Sequence, residues 1–433
     1  MNRLSVIGLG KLGEPLLAVF AGAGFEVIGV DVNQAAVDAI NAGRSPVREP
    51  GVDELLTAHF GRYKATTDTR AAVLATDATF IIVPTPSGPD GGFTLDYLEP
   101  VCWEIGRALR EKAGYHLVAI VSTVMPGQTA QLCAVLEHTS GKRNGQGFGL
   151  CYSPEFIALG SVVHDLQQPD YVLMGAADSQ GQYELYDIYR RVVGRGVEII
   201  VTTWASAEIA KIAQNAFITM KITFANHLGT LCGAIPGANV DEVTRALGHD
   251  RRIGPHYLRA GTAYGGPCFP RDNKALSTAA ERAGVGFPLA THVDFLNAGR
   301  TERLAEVVQE AGKGTVGILG MAYKPGTPVC EESAGLRLAE RLLGLGRDII
   351  VYDPLALEEA RAVLGDRVAY AESETECIER ADIVVLMHPV GNHVDPSTAP
   401  IVIDPWRLLA FNGPRAGYFP LGIGPRETEG VTA

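Results

Sequence analysis

The apolar positions of the chain fall into short runs separated by stretches of helical period. Leu4-Ser5-Val6-Ile7 reads as a buried strand, and Leu16, Leu17, Val19 and Phe20 then form one face of a helix. Phe25 to Asp31 is a second strand that ends on an acid. The runs Ala78 to Val83, Leu117 to Val121, Gly149 to Tyr152, Tyr171 to Met174 and Val197 to Val201 continue the alternation. The pattern predicts a mostly parallel sheet of about eight strands with helices between them. From Ala205 to about Ala234 the period changes: Ile209, Ile212, Ala213, Ala216, Met220, Phe224 and Leu228 recur at spacings of three and four, which predicts one long helix. Lys211 and Asn215 lie one turn apart on it and share a face. A second alternating block starts near Gly314, with strands Thr315 to Gly320, Asp348 to Asp353, Ile383 to Leu386 and Ile401 to Asp404, and a helix from about Ser333. The expected class is α/β, with an N-terminal domain 1–203, a central helical region 204–300 and a C-terminal α/β domain 312–433. The polar tail after about Arg426 is expected to fray.

Composition narrows the function classes. A chain of 433 residues is too long for one hydrophobic core. The formal net charge of -12 argues against nucleic acid or an anionic membrane as a partner, so any phosphate must be held by local amides and a few placed Lys or Arg residues. The seven cysteines form no CxxC pair. They suggest neither a disulfide framework nor a zinc site, no metal is expected, and the expected compartment is a reducing cytoplasm. Strand-like sequence begins at Arg3, so no signal peptide is expected, and no apolar run reaches membrane-spanning length.

Three stretches carry candidate chemistry. Gly8-Leu9-Gly10-Lys11-Leu12-Gly13 joins the first strand to the first helix, and Asp31 follows Gly13 by 18 residues. This is the βαβ dinucleotide fingerprint in its required context. Gly8 permits the tight turn, Gly10 lets a pyrophosphate reach the backbone at the helix N-terminus, and Gly13 lets helix and strand pack closely. Asp31 would accept from a ribose hydroxyl and repel a 2′-phosphate, favouring NAD over NADP. The alternative is a plain tight turn with Asp31 as a helix N-cap. Thr85, Thr123 and Glu155 fall at carboxyl ends of strands, where ligands of open α/β sheets lie. The threonines read equally as helix caps, whereas an acid between Pro154 and Phe156 has no obvious surface role. The third stretch runs from Gly261 to Asp272. Its three glycines and two prolines exclude a continuous helix or strand and leave an ordered loop that presents Cys268, with Asp272 four residues on. A buried structural cysteine is the competing reading. Lys211 and Asn215 read either as site residues or as a solvated stripe. The turn after Thr315 to Gly320 lacks the glycine fingerprint, yet Lys324 could hold a phosphate there.

These residues resemble the nucleotide-sugar 6-dehydrogenases, the UDP-glucose and GDP-mannose dehydrogenase family. The matching stretches are VIGLGKLG with Asp31, VPTP, STVMPG, SPEF, AEIAKIAQNAF, RIG, YGGPCFPRD, GMAYKPGT, VYDP and VID, in the family's order. The resemblance implies an N-terminal Rossmann-type NAD domain, a long central helix that dimerises, and a C-terminal Rossmann-like domain for the sugar nucleotide. It implies an NAD-dependent four-electron oxidation of a C6 alcohol to a uronic acid. Cys268 is then the nucleophile of a thiohemiacetal and a thioester, and Glu155 the acid/base of thioester hydrolysis. Lys211, Asn215 and Asp272 stabilise oxyanion and position water, which Thr123 helps to orient. Gly8, Gly10, Leu12, Gly13, Asp31, Thr85, Thr123, Glu155 and Arg271 would surround the cofactor. Phe156, Lys211, Asn215, Tyr257, Arg259, Gly265 and Lys324 would contact the sugar nucleotide, with Arg252 reaching it across a homodimer interface. Frequency within the family favours a UDP-hexose. The alternatives are a UDP-N-acetylhexosamine and GDP-mannose, whose branch the stretches SGPDGGFTLDYLEPVCWEIGRALREK and KITFANHLGTLC also resemble.

Four positions depart from the family's pattern. Arg271 stands for a Lys, Leu159 for an acid and Tyr171 for an Arg. Glu331 replaces an Arg that contacts NAD, a change unfavourable near a pyrophosphate, for which Arg337 could compensate. A shifted loop with Glu331 in solvent is the other reading of that change. Two further hypotheses stand beside the four-electron enzyme. A two-electron β-hydroxyacid dehydrogenase also places Lys and Asn one turn apart, but needs neither the cysteine loop nor a second α/β domain. A sugar-nucleotide-binding protein without catalysis would accommodate the departures.

Overall fold

Strands buried on both faces organise two parallel sheets, and this is the arrangement that near-continuous apolar runs demand. The computed structural model describes residues 1–47, 49–388, 398–409 and 417–425; the tail after Arg426 lies outside them. The chain divides into two compact units, Met1–Ala213 and Gln214–Ala433.

The first unit holds β1 (Arg3–Ile7), β2 (Glu26–Val30), β3 (Tyr63–Thr66), β4 (Ala78–Ile81), β5 (Leu117–Ile120), β6 (Gly149–Tyr152), β7 (Tyr171–Ala176) and β8 (Glu198–Thr202). They lie in the order β3-β2-β1-β4-β5-β6-β7-β8. Only the β6–β7 pairing is antiparallel. Successive residues of a strand serve opposite layers: Leu117 and Ala119 join the core that contains Phe20, Phe25 and Phe80, while Val118 and Ile120 join the one that contains Ile105 and Leu136. Helices therefore cover both faces. β3 escapes the apolar pattern because it is four residues long and includes the exposed Lys64.

The second unit carries β9 (Val316–Leu319), β10 (Ile349–Tyr352), β11 (Ala369–Tyr370), β12 (Ile383–Leu386), β13 (Ile401–Asp404) and β14 (Tyr418–Pro420). All are parallel, in the order β11-β10-β9-β12-β13-β14. β11 and β14 are too short to show a period in sequence.

The long helix Trp204–Ala234 forms as its period predicts, and the division between the units falls within it. Its faces differ from the expectation. Ile209 and Phe224 are 47% and 53% exposed, whereas Glu208, Thr219, Thr223 and Asn226 are buried. Phe217, Phe224 and Leu231 are exposed at intervals of seven residues. The helix thus carries an exposed apolar stripe beside buried positions such as Ile212, and much of its buried face is polar. No helix among the described residues is long and apolar enough to cross a membrane, and no metal-binding group of His, Cys, Asp or Glu occurs among them.

Candidate active site

The turn after β1 has the construction that the glycine spacing predicts. Gly8 has φ +94°, and its N–H donates to the Val30 carbonyl at 2.8 Å. A Cβ on Gly13 would lie 1.7 Å from the Gly8 carbonyl oxygen, whereas one on Gly10 would meet nothing within 4 Å. Packing thus requires the third glycine and leaves the second open to a ligand. Leu12 precedes the helix Gly13–Gly22 and packs on the core. Asp31 accepts from Leu9 N–H at 2.7 Å and from Asn33 N–H at 2.9 Å. The cap of the next helix, Gln34–Asn41, is Asn33, so the alternative of Asp31 as N-cap does not hold. An open glycine, a helix N-terminus and a half-buried acid fit a dinucleotide. Thr85, after β4, is buried, and Thr123, after β5, is half-buried.

Further along the same unit, β6 runs into Ser153-Pro154-Glu155-Phe156. Burial pushes the Glu155 carboxyl up to about 7, against a hydrogen bond from Tyr189 and the charge of Lys211, which both pull it down. The Tyr189 hydroxyl donates to Glu155 Oε1 at 3.0 Å. Lys211 Nζ donates to the Glu155 main-chain carbonyl at 2.6 Å and stands 4.7 Å from the centre of the Phe156 ring. Lys211 is therefore a placed cation and not part of a solvated stripe. Tyr171 stacks on Phe156 with ring centroids 5.1 Å apart, and Leu159 packs on the apolar core, so both departures are absorbed by packing.

In the second unit, the glycine-rich stretch is a loop that ends at the N-terminus of the helix Phe269–Arg282, with Cys268 at the capping position. Cys268 is exposed and in no disulfide, whereas the other six cysteines are buried. Burial pushes the thiols of Cys102, Cys330 and Cys377 up to about 12. A helix N-terminus favours the thiolate instead. The reading of Cys268 as a buried structural cysteine is excluded. Asp272, 2% exposed, accepts from Asn215 Nδ2 at 2.6 Å, and Arg271 Nε lies 4.0 Å from its other oxygen.

Two buried asparagines clamp the loop. Asn226 accepts from Gly261 N–H at 2.7 Å and donates to the Thr262 carbonyl at 3.0 Å. Asn297, on the helix Pro288–Ala311, accepts from Tyr264 N–H and donates to the Tyr264 carbonyl, both at 2.9 Å. Each closes a two-bond ring on the main chain, which orders a segment that glycine would otherwise leave loose. The glycines are needed for close approach. A Cβ on Gly265 would lie 2.0 Å from the Glu332 carbonyl oxygen, and one on Gly266 would lie 2.5 Å from the Tyr323 ring.

The turn after β9 lacks the glycine fingerprint, as the sequence predicts, yet it repeats part of the same construction. Gly320 has φ +111° and donates to the Tyr352 carbonyl at 2.9 Å, as Gly8 does to Val30. A Cβ on Gly335 would lie 2.1 Å from the Gly320 carbonyl oxygen, as one on Gly13 would from Gly8. Asp353, after β10, accepts from Met321 N–H at 2.8 Å and Ala322 N–H at 3.0 Å. The same three points are present, spread over a longer segment. Lys324 and Tyr323, in that segment, line a cavity of ≈ 200 Å³ together with Thr262, His388 and Trp406. Arg259 donates to the Trp406 carbonyl at 3.1 Å. Tyr257 is 53% exposed, and Arg252 is paired with Asp250 at 2.6 Å on the surface. Glu331 is exposed, and Arg337 pairs with Glu332 instead.

Sequence reasoning missed Tyr189, Asn226, Asn297, Gly335 and Asp353. The asparagines were visible only as single polar residues on apolar helix faces. Asp353 had a clearer signal, an apolar strand ending on an acid as β2 does.

A dinucleotide turn on one sheet, its counterpart on a second, and an exposed thiol at a helix N-terminus are the features of a nucleotide-dependent dehydrogenase. The comparisons agree and are more specific. The chain belongs to the UDP-glucose/GDP-mannose dehydrogenase family: the family's NAD binding domain matches residues 2–193, its central domain 205–299 and its UDP binding domain 317–409. NAD is the cofactor of this class. The chain is 35% identical to the UDP-glucose 6-dehydrogenase of Haloferax volcanii over 94% of its own length and 97% of that protein. It is 36% identical to the GDP-mannose 6-dehydrogenase of Pseudomonas aeruginosa, over 86% and 85%. The solved UDP-glucose dehydrogenase of Pyrobaculum islandicum matches with a TM-score of 0.85 at 35% identity, covering 94% of this chain and 95% of that one.

Proposed function

We propose that the protein oxidises the C6 alcohol of a nucleotide sugar to the uronic acid, in two two-electron steps that share Cys268. The observation that carries this reading is the exposed Cys268 at the helix N-terminus, in a loop clamped by buried asparagines. NAD, held by Gly8, Gly10, Leu12, Gly13 and Asp31, with Thr85 and Arg271 as further contacts, supplies the hydride acceptor for both oxidations. The Cys268 thiolate adds to the C6 aldehyde, forming the C–S bond, and the oxygen takes a proton to give the thiohemiacetal. Lys211 and Asn215 donate to the developing oxyanion, and Asp272 fixes the Asn215 amide through its 2.6 Å hydrogen bond. The second oxidation leaves a thioester. Glu155 takes a proton from water that Thr123 orients. The water attacks the carbonyl carbon, the C–S bond breaks, and thiolate and uronate separate.

Lys324 and Arg259 hold the diphosphate, while Phe156, Tyr257 and Gly265 contact the rest of the sugar nucleotide. The exposed stripe Phe217, Phe224 and Leu231 supports a homodimer through the long helix, with Arg252 serving the partner's substrate. Seven free cysteines support a cytoplasmic location. The working division is 1–203 for cofactor, 204–300 for dimer and catalytic loop, and 312–433 for the sugar nucleotide. A UDP-hexose is the first choice of substrate, with GDP-mannose and UDP-N-acetylhexosamines as the alternatives. The test is NADH absorbance over UDP-glucose, UDP-N-acetylhexosamines and GDP-mannose. Two NADH should form per uronate with one of them. One NADH per turnover, with the aldehyde as final product, refutes the four-electron reading.

A further inference from the structure

Behind Glu155 lies a chain of hydroxyls that the reaction above does not use. Ser153, wholly buried just after β6, donates to the Tyr189 oxygen at 2.8 Å and lies 3.3 Å from the Leu173 carbonyl. Tyr189 is 2% exposed and stands on the helix Ser179–Val192. Its single proton goes to Glu155 Oε1 at 3.0 Å. We propose that Tyr189 is a positioning residue for thioester hydrolysis, which fixes one oxygen of the Glu155 carboxylate and leaves the other to take the proton of water. The inference rests on the reading of Glu155 as the base of that step.

Four physical points support it. A tyrosine on this face of the helix needs only its ring to fill the core, and phenylalanine would pack as well, so the hydroxyl is the atom without a packing role. A hydrogen bond donated to a carboxylate favours its charged form, and here it opposes the burial that otherwise holds Glu155 protonated. The phenol itself is pushed well above its ordinary range, first by burial and then by the charge of Glu155, so it remains a donor wherever the enzyme works and does not act as a shuttle. Ser153 strengthens the donor, because a hydroxyl that accepts a hydrogen bond polarises its own O–H.

Tyr189→Phe keeps the ring and removes the bond. With Glu155 favouring its protonated form more strongly, the ascending limb of kcat against pH should move up by about one pH unit. At neutral pH kcat should fall about fivefold, most of it should return at pH 9, and KM for the sugar nucleotide should stay within about twofold. Ser153→Ala should move the limb the same way by less, and it carries the test if Tyr189→Phe does not fold. An unmoved limb in both variants overturns the inference while leaving Glu155 as base, provided that Glu155→Gln accumulates thioester. Wild-type hydrolysis by Glu155→Gln rejects the base reading itself, and the inference with it.

Discussion

Two strand-to-helix turns, one in each unit, stand on the same three points and use them differently. Gly8, Gly13 and Asp31 build the first; Gly320, Gly335 and Asp353 build the second. In the first, four residues separate the glycines and the acid stays half-buried at the mouth of the turn. In the second, the glycines flank a segment that carries Tyr323 and Lys324, and Asp353 is 4% exposed. Asp353 spends both oxygens on main-chain N–H groups, those of Met321, Ala322, Leu355 and Ala356. The lesson is that one construction can present its acid to a ligand or bury it as a brace. Where the acid becomes a brace, the inserted segment places Tyr323 and Lys324 at the cavity, and under the proposed function they take over recognition.

The largest expected effect tests the shared part. Gly13→Ala and Gly335→Ala each drive a Cβ into a carbonyl oxygen that cannot move without opening its turn. Each should cost about 3 kcal/mol or more in urea unfolding. A neutral Gly335→Ala would break the equivalence of the two turns.

The acids should then separate the two uses. Asp353→Ala strands four main-chain N–H groups, three of them buried, and should cost about 2–4 kcal/mol of stability. Asp31→Ala should cost only about 1 kcal/mol, since its turn is more open to water, but should raise KM for NAD about tenfold and narrow the preference over NADP. Equal stability losses with unchanged cofactor preference would contradict the division of labour.

Much of this was legible in the sequence because it rests on local pattern. The strands of both sheets showed as apolar runs, and the first turn showed in its glycine spacing. Cys268 stood out because glycine and proline around it excluded regular structure. What stayed hidden depends on tertiary partners. Gly335 is far in sequence from the Gly320 carbonyl it must not touch. Nothing in the sequence marks Tyr189, since only the fold brings its hydroxyl to Glu155. The exposure of Phe217, Phe224 and Leu231 was not legible, because a period of three and four shows that a helix has an apolar face and not what covers it. β11 and β14 were too short for any period to register, and the exposed Lys64 interrupts the apolar run of β3.

The central claim is that the oxidised sugar passes through a covalent bond to Cys268 that Glu155 helps water to break. Denaturing mass spectrometry of Glu155→Gln, after incubation with NAD and the sugar nucleotide found to be the substrate, tests it most directly. The account predicts a sugar-nucleotide adduct on the peptide that contains Cys268, formed with intact acylation and persisting because hydrolysis is slow. Cys268→Ala should carry no adduct and should stall at the aldehyde. No adduct in Glu155→Gln, together with steady turnover to uronate by Cys268→Ala at the wild-type rate, would contradict the account.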